Sequence, residues 1–138
     1  MYEHILVAAD GSDNAMRAAH EAAKIAKLCG ARVTIVYVAD FEKARQEMLH
    51  SASADSLYLE RRTKIAPIEA IFEKNHIAYS VEILRGTAGP EIIKYTNSND
   101  VDLVVIGSRG LNSLQEMVLG SVSHKVMKRV NCPALIVK

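Results

Sequence analysis

Two kinds of apolar pattern alternate along the chain. Ile5-Leu6-Val7-Ala8-Ala9 is apolar without interruption and stops at Asp10-Gly11-Ser12. A short run that is apolar on both faces suits a strand buried in a parallel sheet. The next apolar positions are Ala15, Ala18, Ala19, Ala22, Ala26 and Cys29, the spacing of one buried helical stripe. Ser12 or Asp13 is placed to cap that helix and Gly30 to stop it. Val33 to Val38 is β-branched and predicts a second strand. Tyr79 to Leu84 alternates, with Ser80 and Glu82 outward, which predicts a third strand near an edge, ended by Gly86. Thr87 and Pro90 open a helix whose apolar side is Ile92, Ile93 and Tyr95. Leu103 to Ile106 is the fourth strand and the most apolar run; Val122, Val126, Met127 and Val130 mark a last helix, and Ala134 to Val137 a fifth strand. Such alternation predicts one open, twisted, parallel α/β sheet with right-handed crossovers and helices on both faces. No linker or internal repeat divides the 138 residues, so a single domain over 1–138 is expected.

Residues 40–76 fit this alternation least well. Ser51-Ala52-Ser53-Ala54-Asp55-Ser56 is small and polar and predicts a break between two helical pieces. Pro67 is expected to kink the second piece or to start a new helix. Arg61, Arg62 and Lys64 read as a solvated helix face whose charge neighbouring acids balance.

Composition narrows the classes of partner. Hydrophobic residues are 49% and charged residues 24% of the chain, a globular balance. Aromatic residues are only 5% and Trp is absent, which argues against a base-stacking surface for nucleic acid. The formal net charge of +1 supplies no basic footprint for a phosphate backbone. No apolar stretch approaches the roughly 20 residues that span a bilayer, and the first residues do not form a secretory signal. A cytoplasmic protein with no membrane or nucleic-acid partner is the expectation. Cys29 and Cys132 do not make a disulfide framework and read as small apolar groups.

Candidate chemistry concentrates between Gly107 and Ser123, in G-S-R-G-L-N-S-L-Q-E-M-V-L-G-S-V-S. There is no G-K-[ST], hence no Walker A loop, and no G-x-G-x-x-G after the first strand, hence no dinucleotide fingerprint. The stretch still has the makings of an anion site. Gly107 and Gly110 permit backbone angles that other residues resist and let a ligand approach the main chain. Ser121, Val122 and Ser123 would offer first-turn N–H groups with no partner inside the helix, at its positive end, and two hydroxyls besides. A turn plus helix cap at Gly120-Ser121 explains the same residues without a ligand. Topology favours the site: in an open parallel sheet, ligands lie outside the carboxyl ends of the strands where successive crossovers diverge. If the first strand is central and the fourth its neighbour, the Asp10 and Gly107 loops face each other there. Asp10 would accept from ribose hydroxyls or help hold a metal, or else simply form the turn before Gly11. Val38 would offer main-chain groups to a base edge.

The chain resembles the universal stress protein family, and within it the subgroup that binds ATP. The motif G-x2-G-x9-G-[ST] is matched by Gly107, Gly110, Gly120 and Ser121 without a gap. The opening I-L-V-A-A-D-G-S, the G-x-x-x-P-E-I-I from Gly86 to Ile93, D-L-V-V-I-G-S-R-G and the closing C-P-A-L-I-V are similar too, so the likeness runs from Tyr2 to Lys138. It implies a Rossmann-like sheet of strand order 3-2-1-4-5. It places adenine near Ala9 and Val38, ribose near Asp10 and Gly107, and phosphates on Gly110, Gly120, Ser121 and Ser123, with Val122 contributing main chain. Ser108 and Arg109 lie inside the same loop and are counted with it. The implied ligand is ATP, with AMP and ADP not distinguished from it, and members often hold Mg or Mn with the phosphates. Pro67 and the Ser-rich segment depart from the commoner pattern and leave the second helix in question.

The fifth strand, residues 134–137, is an apolar edge, which invites cover by a second copy. Members of the family often pair their last strands antiparallel, so a homodimer is expected. Catalysis is not. His124 is the only histidine near the loop, and its place directly after Ser123 turns it from the phosphates; His4, His20, His50 and His76 show no metal-ligand spacing. Three functions remain open: an ATP-binding switch or scaffold in stress response, a slow ATPase or autophosphorylating protein with Ser121 or Ser123 as acceptor, and a nucleotide-free dimeric module that binds partners. A phosphoacceptor receiver domain is disfavoured, because Leu84-Arg85-Gly86 stands where its acceptor Asp would end the third strand.

Overall fold

In a computed structural model of the chain, residues 1–39, 54–109 and 119–138 are described, without the side chains of 54–58 and 60. The elements are β1 (His4–Ala9), α1 (Asp13–Cys29), β2 (Arg32–Ala39), α2 (Ala54–Lys74), β3 (Tyr79–Arg85), α3 (Ala88–Ser98), β4 (Leu103–Gly107), α4 (Ser121–Arg129) and β5 (Ala134–Val137). The five strands form one sheet in the order β3-β2-β1-β4-β5, every neighbouring pair parallel. The expected architecture is therefore the observed one.

The uninterrupted apolar runs follow from burial on both sides. Ile5, Val7 and Ala9 of β1 join Val33, Ile35, Leu103 and Val105 under α1 and α2. Leu6, Val36, Val104 and Ile106 point the other way and pack with Ile92 of α3 and Val126 of α4. Alpha-helix α1 presents Ala15, Ala18, Ala19, Ala22, Ala23 and Ala26, all buried, and lies across β1, β4 and β5. Ser12 caps it by accepting from the Ala15 N–H at 3.1 Å, and Gly30 ends it in the left-handed conformation at φ 67°.

Three expectations about the helices are corrected. Ala54, Asp55 and Ser56 form the first turn of α2 and not a break; Ser51 to Ser53 lie outside the described residues. The same helix runs through the exposed Pro67, so no new helix starts there. Nor are all the basic residues of 61–64 simply solvated: Arg62 lies 3.2 Å from Glu69, whose other oxygen is 3.0 Å from the Tyr79 hydroxyl, tying α2 to β3. In α4, Met127 is 47% exposed and leaves the buried stripe to Val126.

At the amino ends of the strands, polar groups of the described residues pair with one another. His4 is buried, with Nδ1 3.2 Å from the Asn99 carbonyl and Nε2 2.7 Å from Thr34 Oγ1. A carbonyl only accepts, so Nδ1 carries the proton, and Nε2 of the neutral ring accepts from the Thr34 hydroxyl. Burial, reinforced by the Arg32 charge, pushes the His4 pKa down and keeps the ring neutral. Beside it, Asp102 Oδ2 accepts the N–H groups of Glu3 and His4 at 2.9 Å each. These two bonds hold the Asp102 carboxyl below the usual carboxylate range.

Candidate functional site

At the carboxyl end of β1 the chain turns sharply into α1. Asp10 Oδ1 accepts the Ser12 N–H at 2.9 Å, and Gly11 sits at φ +84°, where L side chains are strained. One Asp10 oxygen is drawn into the turn, and the other has no partner among the described residues. Ala9 is buried and pairs in register with Tyr37, while Val38 is half-buried one residue from the end of β2. The sheet places β4 directly beside β1, so the Asp10 turn and the end of β4 flank one crevice.

Gly107, the last residue of β4, is where three elements meet. A Cβ there would stand 2.8 Å from Asn14 Cβ and 3.0 Å from the Asn14 backbone C and O. The missing side chain thus admits the first turn of α1. This corrects the reason given for a glycine: its φ is not positive, whereas those of Gly11, Gly30 and Gly86 are. The Gly107 carbonyl accepts the Ser123 hydroxyl at 2.5 Å, drawing the first turn of α4 onto the same point. Asn14 was not singled out in the sequence; a polar residue two places after a cap carries little signal.

The return from the loop is equally fixed. Ser108 donates its N–H to the Val137 carbonyl at 2.7 Å, and the Ser108 carbonyl accepts the Gly120 N–H at 2.8 Å. Gly120 is the N-cap of α4, with φ −60° and ψ 154°, and the first bond of the helix runs from His124 N to Gly120 O at 2.9 Å. The N–H groups of Ser121, Val122 and Ser123 therefore have no partner within the helix, and none among the described residues. Ser121 is exposed and Val122 half-buried. Ser123 is buried, and its one hydroxyl proton is committed to Gly107, so it would offer a ligand its N–H and not its hydroxyl. His124 is exposed, and Arg109 is half-buried. Gly110 falls outside the described residues.

Lys64, expected on a solvated face, instead belongs to the surroundings of the Asp10 turn. Its Cγ and Cδ lie 3.1 and 3.3 Å from where a Gly11 Cβ would stand, and its Nζ is 5.9 Å from the centre of the Tyr37 ring. The spacing carried a signal for this: Lys64, Ile68 and Ile71 follow one another at i, i+4, i+7, in line with the buried stripe of α2.

A site so built is suited to an anion. Bare amides at the positive end of α4 favour phosphate, and each hydrogen bond to a charged group contributes about 1.5–3 kcal/mol. Among the described residues no group of three or more His, Cys, Asp or Glu is placed to hold a metal ion. A divalent cation would depend on oxygen ligands brought by a bound phosphate.

Known proteins share both sequence and architecture. A model of the Universal stress protein family matches residues 1–138. Universal stress protein MJ0531 of Methanocaldococcus jannaschii is 31% identical, over 100% of this chain and 83% of its own length. The solved structure of hypothetical protein MJ0577 superposes with a TM-score of 0.86 at 29% identity, covering 100% of this chain and 96% of that one. A universal stress protein of Archaeoglobus fulgidus, solved in complex with dAMP, gives a TM-score of 0.76 at 23% identity, covering 99% and 98%.

Proposed function

The chain belongs to the universal stress protein family, and on that footing we propose that it binds an adenine nucleotide, foremost ATP, across the carboxyl ends of β1 and β4. Binding makes the protein a nucleotide-dependent switch or scaffold in stress response. The observation that carries this reading is the convergence on Gly107, which sets the first turns of α1 and α4 side by side. Phosphates would take the amides of Ser121, Val122 and Ser123 together with Gly110 and Arg109, bordered by Ser108 and Gly120, whose own N–H groups are already bonded; Asp10 would hold ribose, and Ala9 and Val38 would border the base. The dAMP complex of the A. fulgidus protein supports an adenine ligand for this fold.

The proposed protein is not an enzyme. The buried and bonded Ser123 hydroxyl is not presented for phosphoryl transfer, which supports this, and His124 faces outward on α4. It is also read as a homodimer through β5, whose Ala134, Leu135, Ile136 and Val137 are all half-exposed along a sheet edge. Light scattering at micromolar concentration should report a dimer, and a monomer would remove that part of the reading.

Thermal unfolding with and without ATP tests the site. Nucleotide at 100 times its Kd should add about 2.7 kcal/mol of stability. Mass spectrometry of whatever the denatured, purified protein releases should identify the occupant. No stabilisation by ATP, ADP or AMP would favour the nucleotide-free partner-binding module instead.

A further inference from the structure

We propose that Lys64 is a positioning residue for the nucleotide site, acting through its alkyl stem on the Asp10–Gly11–Ser12 turn; this rests on the nucleotide reading above. Gly11 at φ +84° lies in a region open to glycine on both sides, so its own torsion gives the turn little rigidity. Ser12 ties the far side of the turn to α1 as the helix cap, and two further contacts bear on the turn. The Ser12 N–H is held by Asp10 Oδ1 at 2.9 Å. Lys64 Cγ, Cδ and Cβ stand 3.1, 3.3 and 3.6 Å from the position of an added Cβ, filling the space that glycine leaves.

The stem is itself held in place. Lys64 rises from α2 beside the fully buried Ile65 and one turn before Ile68, so its root is immobile. Its ammonium group lies 5.9 Å from the centre of the half-buried Tyr37 ring, within the range of cation–π attraction. Tyr37 pairs with Ala9, the residue before Asp10. The methylenes rest on the β1–α1 turn and the tip lies near β2, but it is the packing of the stem against Gly11, not the charge of the tip, that holds the turn. A long amphipathic side chain covering apolar surface with its stem is a common use of lysine; here the surface covered is the back of the ligand-facing loop. A carboxylate that must meet a ribose hydroxyl needs to be held within about 0.5 Å of the productive position. Lys64 supplies that constraint without touching the ligand.

The stem and the charge can be separated. Lys64→Met keeps Cβ and Cγ and places a sulfur at the δ position, while Lys64→Ala removes the two nearer atoms, Cγ and Cδ, and keeps only Cβ. ATP, ADP and AMP are titrated calorimetrically into wild type and both variants. In parallel, amide hydrogen exchange at Ser12 is measured in the nucleotide-free proteins. Lys64→Ala should weaken all three nucleotides by a similar factor, roughly tenfold, and speed exchange of the Ser12 N–H. Lys64→Met should resemble wild type in both measurements. Unchanged affinity and exchange in Lys64→Ala would overturn the proposal. So would a Lys64→Met variant as impaired as Lys64→Ala, or a loss that grows from AMP to ATP, since either would mean that the ammonium acts directly. The exchange measurement needs no ligand. Wild type that binds none of the three nucleotides would sink the site reading, whereas wild type that binds alongside an indifferent Lys64→Ala would sink only this one.

Discussion

The two ends of the same sheet are built from similar residues and do opposite things with them. At the amino ends, His4, Thr34, Asn99 and Asp102 satisfy one another and the amides of Glu3 and His4. At the carboxyl ends, main-chain bonds also fix the frame, from Ser108 to Val137 and from Gly120 to Ser108. Yet among the described residues one oxygen of Asp10 and the first amides of α4 have no protein partner. One end uses its polar groups for stability; the other leaves some unpaired, which suits the proposed ligand. Strand β1 separates them by about 20 Å at about 3.3 Å per residue, far enough for their energetics to add independently.

That separation can be attacked from either side. The largest effect belongs to Gly107→Val, because the new side chain would collide with Asn14 backbone only 3.0 Å from its Cβ. Overpacking of this kind should cost about 3 kcal/mol in chemical denaturation and weaken nucleotide binding as well, making it the one variant that fails in both assays. Next comes His4→Phe, which strands the Asn99 carbonyl and takes from the Thr34 hydroxyl its shortest hydrogen bond. A loss of roughly 2 kcal/mol of stability is expected with ATP affinity unaltered. A parallel fall in affinity would show that the two ends are coupled after all. Asp10→Ala should give the reverse: about tenfold weaker nucleotide binding by calorimetry, equivalent to about 1.4 kcal/mol, against a smaller change in melting temperature from the lost Ser12 bond.

The smallest expected effect is a slope with pH. Because the folded pKa of His4 is lowered, the unfolded chain takes up a proton that the fold refuses. Stability should therefore be full above the unfolded value of about 6.5 and decline as pH falls through it. Asp102, also lowered, acts in a separate window: its contribution holds above the ordinary carboxylate range and disappears in stronger acid. Melting curves between pH 8 and 5 should show the first decline in wild type and lack it in His4→Phe. Identical slopes would mean that His4 titrates normally.

Much of the fold was legible because it depends on local pattern. Both-sided apolar runs marked the strands, the alanine stripe marked α1, and Ser12 and Gly30 marked its ends. Alternation at Ser80 and Glu82 placed β3 at an edge, where the sheet has it. What escaped depends on residues distant in sequence coming together. Gly107 was read as a glycine for its backbone angles, and the close approach of Asn14 is what the structure shows it to admit. Ser123 looked like a free hydroxyl and proved to be tied to Gly107. His4 offered no ligand spacing, and nothing local announced Thr34 and Asn99 as its partners. Pro67 left a new helix start open, but α2 runs across it with Ile65 and Ile68 buried on either side.

The run of alanines along α1 has a consequence for precision at a distance. With mainly methyl groups buried between helix and sheet, α1 packs closely on β1 and β4, and there is little side-chain length to absorb an error. Any residue enlarged along that seam, even near Ala22 or Ala26 far from the crevice, must lift or slide the whole rod. Such a shift would be delivered at the other end, as a displacement of Asn14 from the β4 terminus. The tolerance of the binding crevice is thereby set partly by the smallest side chains in the molecule, none of which needs to come near a ligand.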